Sequence, residues 1–354
     1  MLKKKNIILL TSFFLLTGVL IRLYFVLQSE TPIKTVLNSR QIFNRSNPGL
    51  SPTPMPFSEL TIDYLRTREY VSSLGSLNQL NDFADYTSYL TSFDSEGFKV
   101  NALMTRPKGL MPAGGWPAVI FIHGYIQPRQ YSTSQNYYDY VDYLARNALA
   151  VFKIDLRGHG TSEGEPGGAY YNSDYIIDVL NAYSALGKAD FINGNKIGLW
   201  GHSMAGNVVM RSLAAKPSIP AAVIWAGAVY TYTDLAEYGI DDNSYRPPEN
   251  DSERQRRRRE LFANYGQPAE GHAFWKLVAP TNYLSDLKGA VEIHHAVNDN
   301  VVDIGYSRNL SNLLKEAGIP AELHEYNSGG HNLTGPVFGK AMQRTVNFFL
   351  EYLK

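Results

Sequence analysis

The sequence predicts an α/β fold: a mostly parallel, doubly wound sheet with an antiparallel hairpin at its N-terminal side and a helical insertion. Three observations carry this. From Trp116 onward, short apolar runs at residues 118–122, 148–155, 196–200, 221–226, 291–297 and 321–326 alternate with helical patterns. Two of those patterns show clear stripes, Tyr137, Tyr140, Val141 and Leu144 in one and Met342, Val346, Phe349, Leu350 and Leu353 in the other. Finally, the pentapeptide Gly201-His202-Ser203-Met204-Ala205 joins the run at 196–200 to a helix-like stretch at 207–215.

The N-terminal elements are of another kind. Lys3, Lys4 and Lys5 precede an apolar run over residues 7–27 that only Arg22 interrupts, long enough to span a bilayer. The lysines favour a cytoplasmic start with the remainder exported, and no small-residue cleavage site follows, so an uncleaved membrane anchor over 1–27 is expected; a cleaved signal and secretion is the alternative. Residues 28–57 include Ser51-Pro52-Thr53-Pro54-Met55-Pro56, whose alternating prolines suit an extended tether. Residues 58–354 then form the globular domain. A helical entry is expected over 58–80, followed by a hairpin of 86–93 and 98–105 around Asp94-Ser95-Glu96-Gly97.

The insertion is expected at about 228–285, where the alternation stops. It carries Asp241-Asp242-Asn243, Pro247-Pro248, the basic run from Arg254 to Arg259, and Phe274-Trp275. Lying after the strand that ends at Ala226, it reads as a mostly helical cap overhanging the serine and selecting substrates. The arginines read as a helix face paired with nearby acids, or as a patch for acidic headgroups or an acidic substrate; Phe274 and Trp275 read as cap core.

Composition narrows the function. The 354 residues are 44% hydrophobic and carry 33 basic and 33 acidic side chains, so no nucleic-acid partner is expected. There is no cysteine, which removes disulfides, a thiol nucleophile and thiolate metal ligands. A serine hydroxyl is a poor nucleophile unless a base takes its proton, and a sharp strand-to-helix turn presents it where an imidazole can reach. Ser203 has that setting, although Ala205 stands where a second glycine is usual. Downstream, the strand at 291–297 ends in Asn298-Asp299-Asn300, and Ser328-Gly329-Gly330-His331 supplies an imidazole on a loop. The order is nucleophile, acid, base, with His331 as the base. Asp303 and Asp155 are rival carboxylates; Asp303 suits a helix cap near Ile304, and Asp155 precedes the serine.

These residues resemble the α/β-hydrolase superfamily, most closely the catalytic domain of the prolyl oligopeptidase family of serine peptidases. The resemblance runs through Phe121-Ile122-His123-Gly124-Tyr125, Asp155-Leu156-Arg157-Gly158-His159-Gly160, the Ser203 turn, Asn298-Asp299-Asn300-Val301-Val302 and Gly330-His331, and covers roughly residues 86–354. It implies an α/β-hydrolase fold, Ser203 as nucleophile, Asp299 as acid and His331 as base. It also implies an oxyanion hole from the backbone N–H groups of Met204 and Tyr125. His123 is expected buried and bonded to backbone, His202 in a variable position of the elbow, and His159 in a structural turn. His294 and His295 are neighbours on a strand and face opposite sides, so no metal site is expected, and no cofactor. The expected substrates are short peptides, or alternatively small acyl esters. Against a peptidase stand the lack of room for a gating propeller and of a paired-glutamate signature. A membrane-tethered binding protein with an inactive hydrolase fold is the non-enzymatic alternative.

Overall fold

A computed structural model describes residues 55–240 and 252–354. The expected anchor, most of the tether and the middle of the insertion lie outside these. Among the described residues no helix is long and apolar enough to cross a membrane.

The chain enters through a 3₁₀ turn, Ser58–Leu60, and a short helix α1, Ile62–Thr67, capped by the Thr61 hydroxyl. Helix then gives way to extended chain and an edge strand β1, Asn78–Asp82, so the helical entry expected over 58–80 holds only for its first half. The hairpin follows as β2, Tyr86–Ser95, and β3, Phe98–Pro107. Glu96 and Gly97 both have positive φ (58° and 83°), the turn geometry that matches strand twist in a two-residue hairpin loop.

The remaining strands are β4 (Trp116–Ile122), β5 (Ala150–Ile154), β6 (Ile192–His202), β7 (Ala221–Trp225), β8 (Ala290–Ala296) and β9 (Ala321–Tyr326). The sheet order is β1-β2-β3-β5-β4-β6-β7-β8-β9, antiparallel through the β3–β5 pair and parallel from β5 to β9. Alternate residues feed opposite faces: Ala118, Ile120 and Ile122 of β4 join one apolar core, while Val119 and Phe121 join the other. The first core is closed by α3 (Asp174–Leu186), α4 (Ala205–Ala215) and α8 (Gly305–Glu316), the second by α2 (Tyr138–Arg146) and α9 (Pro336–Tyr352). Because both faces are covered, the central strands are apolar throughout, which is why they read as continuous runs.

The described residues of the insertion form α5 (Tyr232–Tyr238), α6 (Glu253–Tyr265), α7 (Ala273–Val278) and a 3₁₀ stretch, Pro280–Asp286. Leu261, Phe274, Trp275 and Val278 form a small core with Leu60 and the half-buried Phe57, so the chain is already docked at the end of the predicted tether. The basic run is largely absorbed by pairing: Arg257 binds Glu59, and Arg258 lies 4.7 Å over the Tyr171 ring and 5.2 Å over that of Phe262.

Two buried arginines fix the scaffold. Arg157 bonds Asp178 through Nε (3.0 Å) and Nη2 (2.7 Å) and reaches Glu96 at 2.8 Å, tying the turn after β5 to α3 and the hairpin. Arg211 on α4, 1% exposed, gives its guanidinium to Asn172 O (2.7 Å), Leu60 O (2.7 Å), Ser173 Oγ (2.8 Å) and Ala169 O (3.3 Å).

Candidate active site

Ser203 sits one residue beyond β6 and two before α4, with φ of 56°. A non-glycine residue there is strained, and the fold supports it: its N–H donates to Trp225 O (2.9 Å) and its carbonyl accepts from Gly206 N–H (2.8 Å). The turn also needs small flanks. A Cβ on Gly201 would lie 2.7 Å from Val209 Cγ2, and one on Gly206 would lie 2.8 Å from Gly227 Cα. Ala205 heads α4 fully buried, so the close backbone approach falls at Gly206 rather than at position 205, where a second glycine is usual.

Asp299 and His331 come together at the ends of β8 and β9. His331 Nδ1 lies 2.8 Å from Asp299 Oδ2, which also receives His295 Nε2 at 3.1 Å; Asp299 Oδ1 accepts the N–H groups of Val301 (2.8 Å) and Val302 (3.1 Å). Burial alone would raise this carboxyl, but the two imidazole hydrogen bonds, His331's positive potential and the Val301 amide outweigh it and hold it well below the usual carboxylate range. The rivals have other work. Asp303 Oδ1 accepts Gly305 N–H (2.7 Å) at the start of α8, where the N-cap position itself is Ile304. Asp155 binds the Thr133 hydroxyl (2.5 Å), and burial pushes its carboxyl up to about 7.

Sequence reasoning missed three contributors. His295, read only as a strand residue, is fully buried with Nδ1 2.7 Å from Ser307 Oγ and Nε2 on Asp299; the signal was its spacing of four from Asp299 at a strand end. Tyr137, read as helix stripe, accepts Gly124 N–H (2.9 Å) and lies 2.7 Å from His202 Nδ1. His202 in turn reaches His331 O with Nε2 at 2.9 Å. The donors order themselves in one direction, from Gly124 N–H to Tyr137, from Tyr137 O–H to His202, and from His202 Nε2–H to His331. Burial, reinforced by nearby His331, holds His202 neutral at about 3, which this one-way chain requires.

His123, fully buried, places Nδ1 2.7 Å from Gly124 O and Nε2 3.0 Å from Asp155 O. Burial lowers it to about 3. Because a trans peptide sets C=O and N–H on opposite sides, fixing Gly124 O also aims the Tyr125 N–H. Met204 is the N-cap of α4, so its N–H opens a helix N-terminus.

A cavity of about 770 Å³ contains Ser203, His202 and His331. Tyr125, Ile126, Asn136, Tyr137, Tyr140, Asn300, Val301, Gly329, Asn332 and Thr334 complete its lining. No Asp, Glu, Lys or Arg lines it among the described residues. None of the described residues of the insertion lines it either, so the expected overhang over the serine is not carried by α5, α6 or α7.

Residues 117–239 match the family model described as serine aminopeptidase, S33. Among solved structures, dipeptidyl peptidase 4 of Porphyromonas gingivalis superposes with a TM-score of 0.56 and 19% identity over 76% of this chain; the chain spans only 36% of that protein. Acetyl xylan esterase 1 of Thermoanaerobacterium sp. superposes with a TM-score of 0.57 and 20% identity over 86% of this chain and 96% of the esterase. A puromycin-hydrolyzing peptidase of Mycobacterium tuberculosis gives 0.57 and 17% over 77% of this chain and 40% of its own. By its sheet order and these matches the chain has the α/β-hydrolase fold, and its residues 117–239, which include the Ser203 turn, are similar to the serine aminopeptidase, S33 model.

Proposed function

We propose that Ser203, His331 and Asp299 form a catalytic triad that cleaves uncharged acyl substrates, carboxylic esters foremost, through an acyl-enzyme. Asp299, ionised and four times hydrogen-bonded, keeps the proton on His331 Nδ1 and leaves Nε2 free to take the Ser203 hydroxyl proton. Attack on the acyl carbon forms the Oγ–C bond, and the amides of Met204 and Tyr125 receive the oxyanion. His331 returns the proton to the leaving alcohol as the tetrahedral centre collapses. Water then repeats the sequence to release the acid and regenerate Ser203.

The observation that carries the ester reading is the cavity wall, whose side chains are asparagine, threonine, tyrosine and aliphatic groups without a formal charge. A peptidase that selects a free amino terminus needs a carboxylate facing the ammonium group. The second reading, a serine peptidase acting on short peptides, draws on the family description matched by residues 117–239 and on the peptidase folds above. In either case residues 1–27 serve as a membrane anchor with the hydrolase outside the cytoplasm, a reading that rests on the three lysines and the apolar run.

A fluorophosphonate probe should label wild type and not Ser203→Ala, and a panel of p-nitrophenyl esters beside aminoacyl-nitroanilides divides the two readings. Esters turned over with nitroanilides untouched is the expected outcome. Faster cleavage of free-amine nitroanilides than of esters reverses the order, and labelling that survives Ser203→Ala removes the triad. For the anchor, resistance to carbonate extraction is expected; a shortened soluble form would mean cleavage.

A further inference from the structure

We propose that Glu292, His294 and His324 form a site for a divalent transition-metal ion on the β8–β9 edge of the sheet. The expectation that this region holds no metal rested on His294 and His295 pointing apart, and they do: His295 faces Ser307 and Asp299, His294 faces Glu292 and Tyr326. The third ligand comes from the neighbouring strand. His294 and His324 are register partners in the parallel β8–β9 pair, and Glu292 lies two residues back on the same face of β8. One ligand atom from each falls within 4.8 Å of the others. Two imidazoles and one carboxylate are a donor set for zinc, iron(II) or another first-row ion, with remaining positions for water.

The outer partners give a second, independent argument. Ligating histidines bind through one nitrogen and donate the other N–H to an oxygen acceptor, which fixes the tautomer. With the metal on both Nε2 atoms, His294 Nδ1–H meets the Tyr326 hydroxyl at 2.9 Å, and His324 Nδ1–H meets the Glu322 carboxylate at 3.5 Å. Without a metal, both Nε2–H groups turn to Glu292, at 2.6 and 3.2 Å, and a neutral His324 then sets a bare Nδ1 against the Glu322 carboxylate. A cationic His324 between the two glutamates is the metal-free alternative. Arg344 donates to the Tyr326 hydroxyl at 3.3 Å, and the Thr345 hydroxyl lies 3.2 Å from His294 Nε2. Metal uptake needs no net proton loss from neutral rings, only a change of tautomer, and the ion's charge is met by Glu292 and Glu322. His324 is the access point, since its side chain is 10% exposed while Glu292 and His294 are enclosed. The ion would staple an edge strand whose following loop carries His331 to the strand whose following loop carries Asp299.

The test uses the full chain stripped with chelator, dialysed into metal-free buffer and titrated with zinc, with bound metal counted by mass spectrometry and affinity read against a chromophoric chelator. A single equivalent is expected. It should vanish in His324→Ala and bind about ten- to a hundredfold more weakly in Glu322→Gln. Imidazole ¹⁵N spectra of wild type should show two rings moving to the Nδ1–H tautomer as zinc is added, a readout that survives if His324→Ala does not fold. No retained zinc in wild type, an equivalent that persists in His324→Ala, or unchanged tautomers would each overturn the site and favour the cationic His324.

Discussion

Tyr137→Phe removes one oxygen atom and tests whether the Gly124–Tyr137–His202–His331 chain positions the reacting groups. The hydroxyl serves two partners, Gly124 N–H at 2.9 Å and His202 Nδ1 at 2.7 Å. Gly124 and His202 are both buried, so neither partner gains water in exchange. Leaving a buried polar group unpaired costs about 1–3 kcal/mol. With partial relaxation of the second partner, a total loss of about 2–4 kcal/mol in unfolding free energy is expected. The kinetic effect is separate. Once Nδ1 is released, the His202 ring no longer holds Nε2–H on His331 O, and a shift of about 1 Å at the base costs about a hundredfold in rate. We therefore expect kcat/KM for p-nitrophenyl acetate to fall roughly 10- to 100-fold. Denaturant unfolding gives the first number and initial rates the second. Tyr143→Phe supplies the baseline, because that hydroxyl is exposed and reaches only Gln343 and Gly339. Lost stability with unchanged kcat/KM would refute the positioning argument and leave the chain a piece of scaffold.

Other outcomes follow from single features. Ser203→Gly should abolish hydrolysis yet raise stability by about 1 kcal/mol, because glycine takes a φ of 56° without strain; no gain on denaturant unfolding would mean that the turn is unstrained. Gly206→Ala should destabilise by about 1–3 kcal/mol through contact with Gly227 Cα, and an alanine variant as stable as wild type would contradict the close approach. Asp299→Asn should lower kcat by about 10⁴ while Asp303→Asn, whose amide oxygen still accepts the Gly305 N–H, should leave rate and stability nearly unchanged; the reverse result would reassign the acid. Burial holds His123 and His202 at about 3 and His159 at about 4, against about 6.5 when unfolded. Below about pH 6.5 the unfolded chain takes up protons that these folded rings refuse, so stability should fall as pH drops toward the folded values. The slope is about 1.4 kcal/mol per ring per pH unit, and a melting temperature flat from pH 6.5 to 4 would contradict it.

The parallel strands were legible because each is buried on both sides and reads as an apolar run, and the boundaries moved only by a few residues. β6 extends back to Ile192 through polar Asn193, Gly194 and Asn195, a stretch that periodicity does not mark. β1 was not legible at all: Asn78–Asp82 is exposed at every position, so nothing in it alternates, and the helical entry expected over 58–80 overlaps its first three residues. At the site, chain order and turn chemistry pointed to Ser203, Asp299 and His331, and the structure brings the last two within 2.8 Å. What sequence could not give was the layer behind them. Tyr137 lies 65 residues from His202, and His202 lies 129 from the carbonyl it holds, so neither spacing carries a local signal. The insertion's chain position suggests a lid, but it carries no signal that Leu261, Phe274, Trp275 and Val278 pack with Leu60 and Phe57.

Arg211 decides where this chain can be cut. Its guanidinium is enclosed with only carbonyl and hydroxyl oxygens for partners, and burial lowers it to about 10. One of those oxygens, Leu60 O, belongs to the entering segment rather than to the sheet. A shortened protein that starts at Met55 keeps the whole cradle, whereas one that starts at Ile62, where the first helix begins, strips an acceptor from an enclosed cation and opens a path for water to α4, the helix that Ser203 leads into. For expression, crystallisation or fusion to another domain, the boundary is therefore set by a carbonyl in a three-residue turn.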